Sequence, residues 1–303
     1  MRFRASLTAG AAAVLAVAVA GVVGTAQATP QSAAGRLVPA DPPAIPGDAL
    51  MAHVREFQKI ADANGGNRAH GRPGFRSSVD YVKAALDAAG YTTTLQTFTH
   101  QGATGWNVIA EWPHGDAGQT VMLGAHLDGV PAGPGINDNG SGSAALLENA
   151  LLLARSDARP DKRLRFAWWG AEELGLVGSE QYLKQLAADD KKRISLYLNF
   201  DMVGVKNLKK WRIYKESPDV AATWKEHFRA KSITTEDYQA SSDQLSFKSA
   251  KIKVSGFGGK SDDACYHKAC DTVANVSVET LGVSANAIAA VSWKLAGVKT
   301  PIP

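Results

Sequence analysis

The sequence predicts an α/β fold: a mixed, mostly parallel central sheet covered by helices on both faces. Three observations predict it. Strand-like runs alternate with runs of helical period through the middle of the chain. The runs at 120–125, 164–169 and 194–200 are rich in apolar residues, as strands buried on both faces are. The unusual polar residues follow directly after these runs, at the edge where open α/β sheets bind ligands. The 303 residues are 45% hydrophobic and 20% charged, with no internal repeat, which suits one large domain with an ample core.

The chain opens with two arginines in Met1–Arg4, an uncharged small and apolar stretch from Leu7 to Gly24, and Ala26-Gln27-Ala28 as a small-x-small cleavage site. That is the order of a secretory signal peptide over residues 1–28, with nothing after it marking a retained membrane span. A secreted protein, free of the membrane once the signal is removed, is expected. Removing Arg2 and Arg4 takes the formal charge from +4 to +2, too near neutral for a nucleic-acid partner. Residues 29–47 are rich in Pro, Ala and Ser and read as a leader or linker. The functional domain is expected over 48–300.

Within it, Asp48 can cap a helix whose apolar positions Leu50, Val54, Phe57 and Ile60 fall at helical spacing, ended by Asn64-Gly65-Gly66. After a loop at Gly71–Gly74, Val79, Val82 and Leu86 mark a second helix. Strands are expected at Tyr91–Thr99 and Trp106–Trp112, with a turn at Gly115–Gly118 into the strand Thr120–Ala125. A helix over Ser143–Ala154, a strand at Leu164–Trp169 and a helix over Ser179–Ala188 come next. The strands Ile194–Phe200 and Trp211–Tyr214, a helix over Ala221–Ala230 and a strand at Ile252–Phe257 lead to a closing helix over Val278–Leu295. The antiparallel-looking pair ahead of Thr120 makes the sheet mixed.

The stretch Gly135-Ile136-Asn137-Asp138-Asn139-Gly140-Ser141-Gly142 sets one acid among glycines just ahead of a helix. Such a loop brings backbone close to something and aims one carboxylate at it. Two readings compete, a metal bridge at Asp138 and a phosphate cradle. The phosphate reading fails because the loop lacks the Lys-Ser/Thr ending of a P-loop. The surrounding set, His126, Asp128, Glu172, Glu173, Asp201 and His267, would also repel an anion. Mixed imidazoles and carboxylates suit zinc better than magnesium or calcium. Two zinc ions about 3.5–4 Å apart need a bridging carboxylate and roughly two more ligands each, which His126, Asp138, Glu173, Asp201 and His267 can supply. Glu172 is left over to move a proton. Asp128 is placed to accept the second imidazole N–H of His126.

These residues resemble the secreted actinobacterial di-zinc, leucine-type aminopeptidases of the co-catalytic zinc exopeptidase family. The resemblance runs from about Ala52 to Leu295 and is densest in Asn64–Gly74, Gly124–Val130, Gly135–Gly142, Leu164–Gly178, Leu198–Val203 and Cys265–Thr272. It implies the zinc-exopeptidase (phosphorylase/hydrolase-like) fold and two zinc ions per chain. His126 and Asp201 would hold one zinc, Glu173 and His267 the other, with Asp138 between them. Glu172 resembles the general base and Tyr266 the phenol that stabilises the oxyanion. Peptide and protein N-termini are the implied substrates, with apolar first residues such as Leu preferred, and a monomer is expected.

The chain departs from its relatives in three places. Ser241-Ser242-Asp243-Gln244 stands where many carry Arg-Ser-Asp-His, which bears on how the substrate terminus is held. Lys260–Ala264 is a short connection where relatives have a longer excursion. The run Lys206–Lys210 is more basic than the resemblance leads one to expect. None of these touches a proposed ligand.

Cys265 and Cys270 are the only cysteines and read as a disulfide in a secreted chain, holding Tyr266 and His267 in one loop. His53, His70, His114 and His227 lack a partner pattern and read as structural or solvated, and Trp168 and Trp169 as core. The glycosylation matches at Asn139 and Asn275 read as accidental, since glycan at Asn139 would obstruct the site. A serine hydrolase is disfavoured because no Gly-x-Ser-x-Gly elbow appears. A same-fold di-zinc carboxypeptidase or dipeptidase would need a cation for the substrate carboxylate. A mono-zinc glutaminyl cyclase-like transferase, or a retired binding module, would not need the full ligand set with its bridge.

Overall fold

The computed structural model describes residues 37–259 and 263–301. The expected signal peptide, residues 29–36 of the expected leader, and Lys260–Asp262 lie outside the described residues. The described part of the 29–47 span is packed onto the domain. Strand β1 (Leu37–Pro39) pairs antiparallel with the last strand, β10 (Lys299–Pro301). Ile45 is buried, and its N–H and carbonyl are both held by the Asn286 amide.

The long periodic segments form where their apolar spacing places them. Helix α1 (Gly47–Ala63) buries Leu50, Val54, Phe57 and Ile60, although Pro46 precedes it and Asp48 falls in the first turn rather than capping it. Helix α2 (Pro73–Ala88) starts inside the expected loop, because proline at the first helical position gives up an N–H that has no partner there. The hairpin β2 (Thr92–His100) and β3 (Ala103–Glu111) is antiparallel. Strand β4 (Asp116–His126), helix α3 (Gly142–Arg155), strand β5 (Lys162–Trp169), helix α4 (Val177–Gln185) and strand β6 (Ile194–Asp201) follow. Strand β7 (Trp211–Tyr214), helix α6 (Pro218–Ala230), strand β9 (Val254–Gly258) and helix α8 (Val278–Ala296) also match their expected segments. Besides β1 and β10, three short elements were not legible. Helix α5 (Ala188–Arg193) is almost wholly charged, β8 (Thr235–Tyr238) is a polar edge strand, and α7 (Gln244–Ser249) is under two turns long.

The sheet runs β2-β3-β5-β4-β6-β9-β7-β8. Its centre, β5-β4-β6-β9, is parallel, while β3 against β5 and β7 against β9 are antiparallel. Side chains alternate across it. Val121, Leu123, Leu164, Phe166 and Trp168 face the larger core with α1, α2, α3 and α8. Met122, Ala167, Trp169 and Tyr197 face the smaller one, with Tyr182 and Phe247. Trp168 and Trp169 are thus core residues on opposite faces, as expected.

This topology brings the carboxyl ends of β4, β5 and β6 side by side, His126 pairing in register with Trp169 and Asp201 with Gly258. Gly258 permits that approach. Its φ is +128°, and a Cβ there would lie 1.9 Å from the Asp201 carbonyl oxygen. Gly258→Ala is expected to destabilise the protein and displace Asp201, read as a lowered Tm together with reduced zinc retention.

Candidate metal centre

His126 ends β4 and is buried. Its Nδ1 lies 3.1 Å from the backbone carbonyl of Asp128, which turns Nε2 toward the carboxylates. Nε2 is 3.3 Å from Asp138 Oδ1, 3.4 Å from Asp201 Oδ1 and 3.9 Å from Glu172 Oε2. Across the site, His267 Nε2 is 3.1 Å from Asp138 Oδ2 and 2.9 Å from Glu173 Oε2. The two oxygens of Asp138 are therefore divided between two histidines, each with its own second carboxylate. The ligand atoms of His126, Asp138 and Glu173, and those of His126, Glu172 and Asp201, lie within 4.8 Å of one another. All five expected ligands and Glu172 meet in one place.

Each side chain is delivered by local structure. Asp138 sits in an irregular helical turn, Ile136–Ser141. Asp271, itself buried, accepts the N–H groups of Asn137 and Asp138 at 2.8 and 3.0 Å. Glu172 and Glu173 open a single turn after β5, entered through Ala171 at φ +56°. His267, at φ +58°, lies in the loop closed by the Cys265–Cys270 disulfide. Asp263 ties that loop to the bridge, accepting from Cys265 N–H at 2.8 Å and from the Asn137 amide at 2.7 Å. The Asn139 side chain holds Phe200, Gly142 and Met202 backbone groups, and that of Asn275 holds Asp263 and Asp271. Both glycosylation matches are thus committed to the fold.

Asp128 differs from expectation. Its carboxylate lies 3.8 Å from His126 Nδ1, because its own backbone carbonyl takes that place. The side chain instead accepts the N–H groups of Glu172 and Glu173 at 3.0 and 3.4 Å. It positions the two glutamates, and the histidine is oriented by the backbone.

The electrostatics are those of a crowd of carboxylates. Burial pushes Glu172 well above the usual range, with His126 opposing and Asp243 adding to it. Burial likewise lifts Glu173 to about 7, against the hydrogen bond from His267, and the buried Asp243 to about 7. Burial would raise Asp138 too, but hydrogen bonds from His126 and His267 hold it at about 2. His267 is lifted to about 10 by Asp138 and Glu173. For His126, burial is outweighed by Glu172 and Asp201, and the imidazole rises well above its ordinary value. Tyr266 stacks on His267 with centroids 3.8 Å apart. Burial and the neighbouring carboxylates raise its phenol, which stays a proton donor.

These residues fit a zinc centre. Glu173 Oε1 and Asp201 Oδ1 are buried without a hydrogen-bond partner, as oxygens meant for a cation would be. The donors are mixed imidazole and carboxylate, the set zinc takes. The cavity above them, about 290 Å³, is lined by Met202, Tyr214, Tyr238, Ala240, Ser241 and Tyr266 besides the acids. Among the described residues no Lys or Arg lines it. Ser241 stands open to it, while the buried Gln244 donates to the Ala240 carbonyl, so neither departure supplies a cation.

Sequence reasoning missed Arg68. It is fully buried and donates to the carbonyls of Leu127, Pro134 and Gly135, clamping the loop after β4 to the bridge loop. Burial lowers it to about 10, with Asp128, Asp271 and Asp138 opposing. Nothing in the sequence marks a lone arginine, or Asp263 and Asp271, as a partner of backbone. Arg68→Met takes a donor from three carbonyls, of which Gly135 alone keeps another, the Gly140 N–H, and leaves buried acids less compensated, so a loss of about 3–5 kcal/mol is expected, measured by urea unfolding.

Residues 107–292 match the family described as "Peptidase family M28". The chain is 45% identical over 315 residues to leupeptin-inactivating enzyme 1 of Streptomyces exfoliatus, covering 96% of this chain and 72% of that protein. Its fold is similar to that of an aminopeptidase from Aneurinibacillus sp. strain AM-1, with a TM-score of 0.74 at 18% identity, covering 84% and 94% of the two chains. It also resembles a zinc aminopeptidase from Bacillus subtilis at 29% identity, with a TM-score of 0.59 over 64% of this chain and 51% of that one. The chain spans 24–44% of the length of the further curated aminopeptidases it matches.

Proposed function

Because the chain belongs to peptidase family M28 and is an aminopeptidase-type hydrolase, we propose that it removes the first residue of peptides and proteins at a centre of two zinc ions. The observation that carries this is the division of Asp138 between His126 and His267. His126 and Asp201 would hold one ion, Glu173 and His267 the other, and Asp138 both. Bound there, zinc supplies Lewis acidity and lowers the pKa of a water to about 7.

The chain's own residues do the rest. Glu172 is spare, and its backbone is fixed by Asp128. Its carboxylate takes the proton of the attacking water and returns it to the leaving amine. Tyr266 donates its O–H to the carbonyl oxygen as negative charge develops there. The free amine of the substrate would be held near the carboxylates at the floor of the site. A first residue that is apolar, such as Leu, suits the wall of Met202, Tyr214, Tyr238 and Ala240. A lining without Lys or Arg among the described residues disfavours the carboxypeptidase reading.

The decisive assay compares leucine anilide with its N-acetyl counterpart, with and without a zinc chelator. Hydrolysis of the free amine only, lost on chelation and restored by zinc, is expected. Equal hydrolysis of the blocked substrate would sink the proposal. Secretion and a monomeric state belong to the same reading. The order of residues 1–28 supports secretion, and among the described residues no helix is long and apolar enough to cross a membrane. Mass measurement of the protein recovered from culture medium checks both.

A further inference from the structure

The loop between β6 and β7 does something the catalytic residues do not. It starts in the site, where Met202 lines the cavity, and is pinned at Val205, which bridges to Val276. From there Lys206, Lys209, Lys210 and Arg212 line a second, open depression of about 500 Å³, with Glu236 as its only acid among the described residues. The two hollows share a wall. The Arg212 guanidinium sits 5.1 Å over the Tyr238 ring, and Tyr238 lines the catalytic cavity.

Glu236 is occupied by Arg212 at 3.0 Å and Lys210 at 3.7 Å. Lys206 and Lys209 are exposed and make no ion pair among the described residues. Lys59, Lys83, Lys184 and Lys192, by contrast, each pair with an acid three or four residues away. Residues 206–212 contain no acid. A run of lysines is ordinarily a solvated face. This one borders a cavity that no Lys or Arg lines among the described residues.

We infer that Lys206 and Lys209, backed by Lys210 and Arg212, form a subsite for acidic side chains a few residues downstream of the bond cleaved. The inference rests on the aminopeptidase reading. A peptide whose amine is held at the floor must leave the cavity by its rim, and an extended chain advances about 3.3–3.6 Å per residue. Asp or Glu two to four residues on can reach the lysines. Exposed charges of this kind act by steering and weak pairing and are screened by salt.

The test uses the zinc-loaded enzyme and the peptides Leu-Ala-Ala-Glu-Glu, Leu-Ala-Ala-Gln-Gln and Leu-Ala-Ala-Lys-Lys. At low salt kcat/KM is expected to favour Glu over Gln by about fivefold and Gln over Lys similarly, with the spread collapsing in about 0.5 M salt. The charge reversal Lys206→Glu/Lys209→Glu should invert the order. Equal rates for the three peptides in the parent, or an order unchanged in the reversed variant, would overturn the subsite. Hydrolysis of the Gln peptide separates the two failures. If it is cleaved at a flat ratio, only the subsite falls, and if it is not cleaved, the aminopeptidase reading falls with it.

Discussion

Glu172→Gln is expected to cut kcat by about 10²–10⁴-fold while leaving the zinc content unchanged. Gln keeps the size of Glu and the backbone N–H that Asp128 holds, but its amide cannot accept and return a proton. Glu172 Oε2 lies 3.9 Å from His126 Nε2, farther than the Asp138 and Asp201 oxygens, and the proposed ligand set does not use it. Its environment suits the role. A buried carboxyl among Asp243 and Asp201 has its pKa pushed up, toward the range in which a base collects a proton and can give it back. Metal analysis and steady-state kinetics on the same sample decide the matter. A variant that loses zinc would make Glu172 a ligand, and one that keeps full activity would remove it from the reaction.

How much of this was legible beforehand follows the physics of each signal. Long elements announce themselves by period. Leu50, Val54, Phe57 and Ile60 fix α1, and the apolar run Leu164–Trp169 fixes a strand buried on both faces. The six residues that gather at the candidate centre were legible because five of them follow strands or open a glycine loop, where polar side chains have no packing reason to be. His267 was legible from its place between two cysteines. What stayed hidden is structure held by backbone. Arg68 bonds carbonyls, Asp271 bonds N–H groups, and Asp128 serves Glu172 and Glu173 rather than the imidazole beside it. Such contacts depend on where distant loops come to rest, and neither residue type nor spacing records that. Short α5 and β8 were missed for a simpler reason, since neither has an apolar face to repeat.

Asp138→Ala is expected to empty the centre, taking zinc from about two ions per chain to near none. Every other expected ligand is assigned to one ion in the proposed arrangement. His267 and Glu173 lie together, as do His126 and Asp201, and only Asp138 presents an oxygen to each histidine. On the proposed arrangement, removing it would take one donor from each ion and the negative charge between them. The scaffold should survive, because Asp271 holds the loop by backbone N–H groups that alanine retains. His267→Ala supplies the contrast, since it removes a ligand from one side only and should leave about one tightly held zinc. Metal content after gel filtration distinguishes the two variants, and the rise in Tm on adding zinc gives a second reading, since a ligand that binds only the folded state stabilises it in proportion to occupancy. Retention of one zinc by Asp138→Ala, equal to that of His267→Ala, would mean that the carboxylate serves a single ion and that the paired arrangement around it is not a bridge.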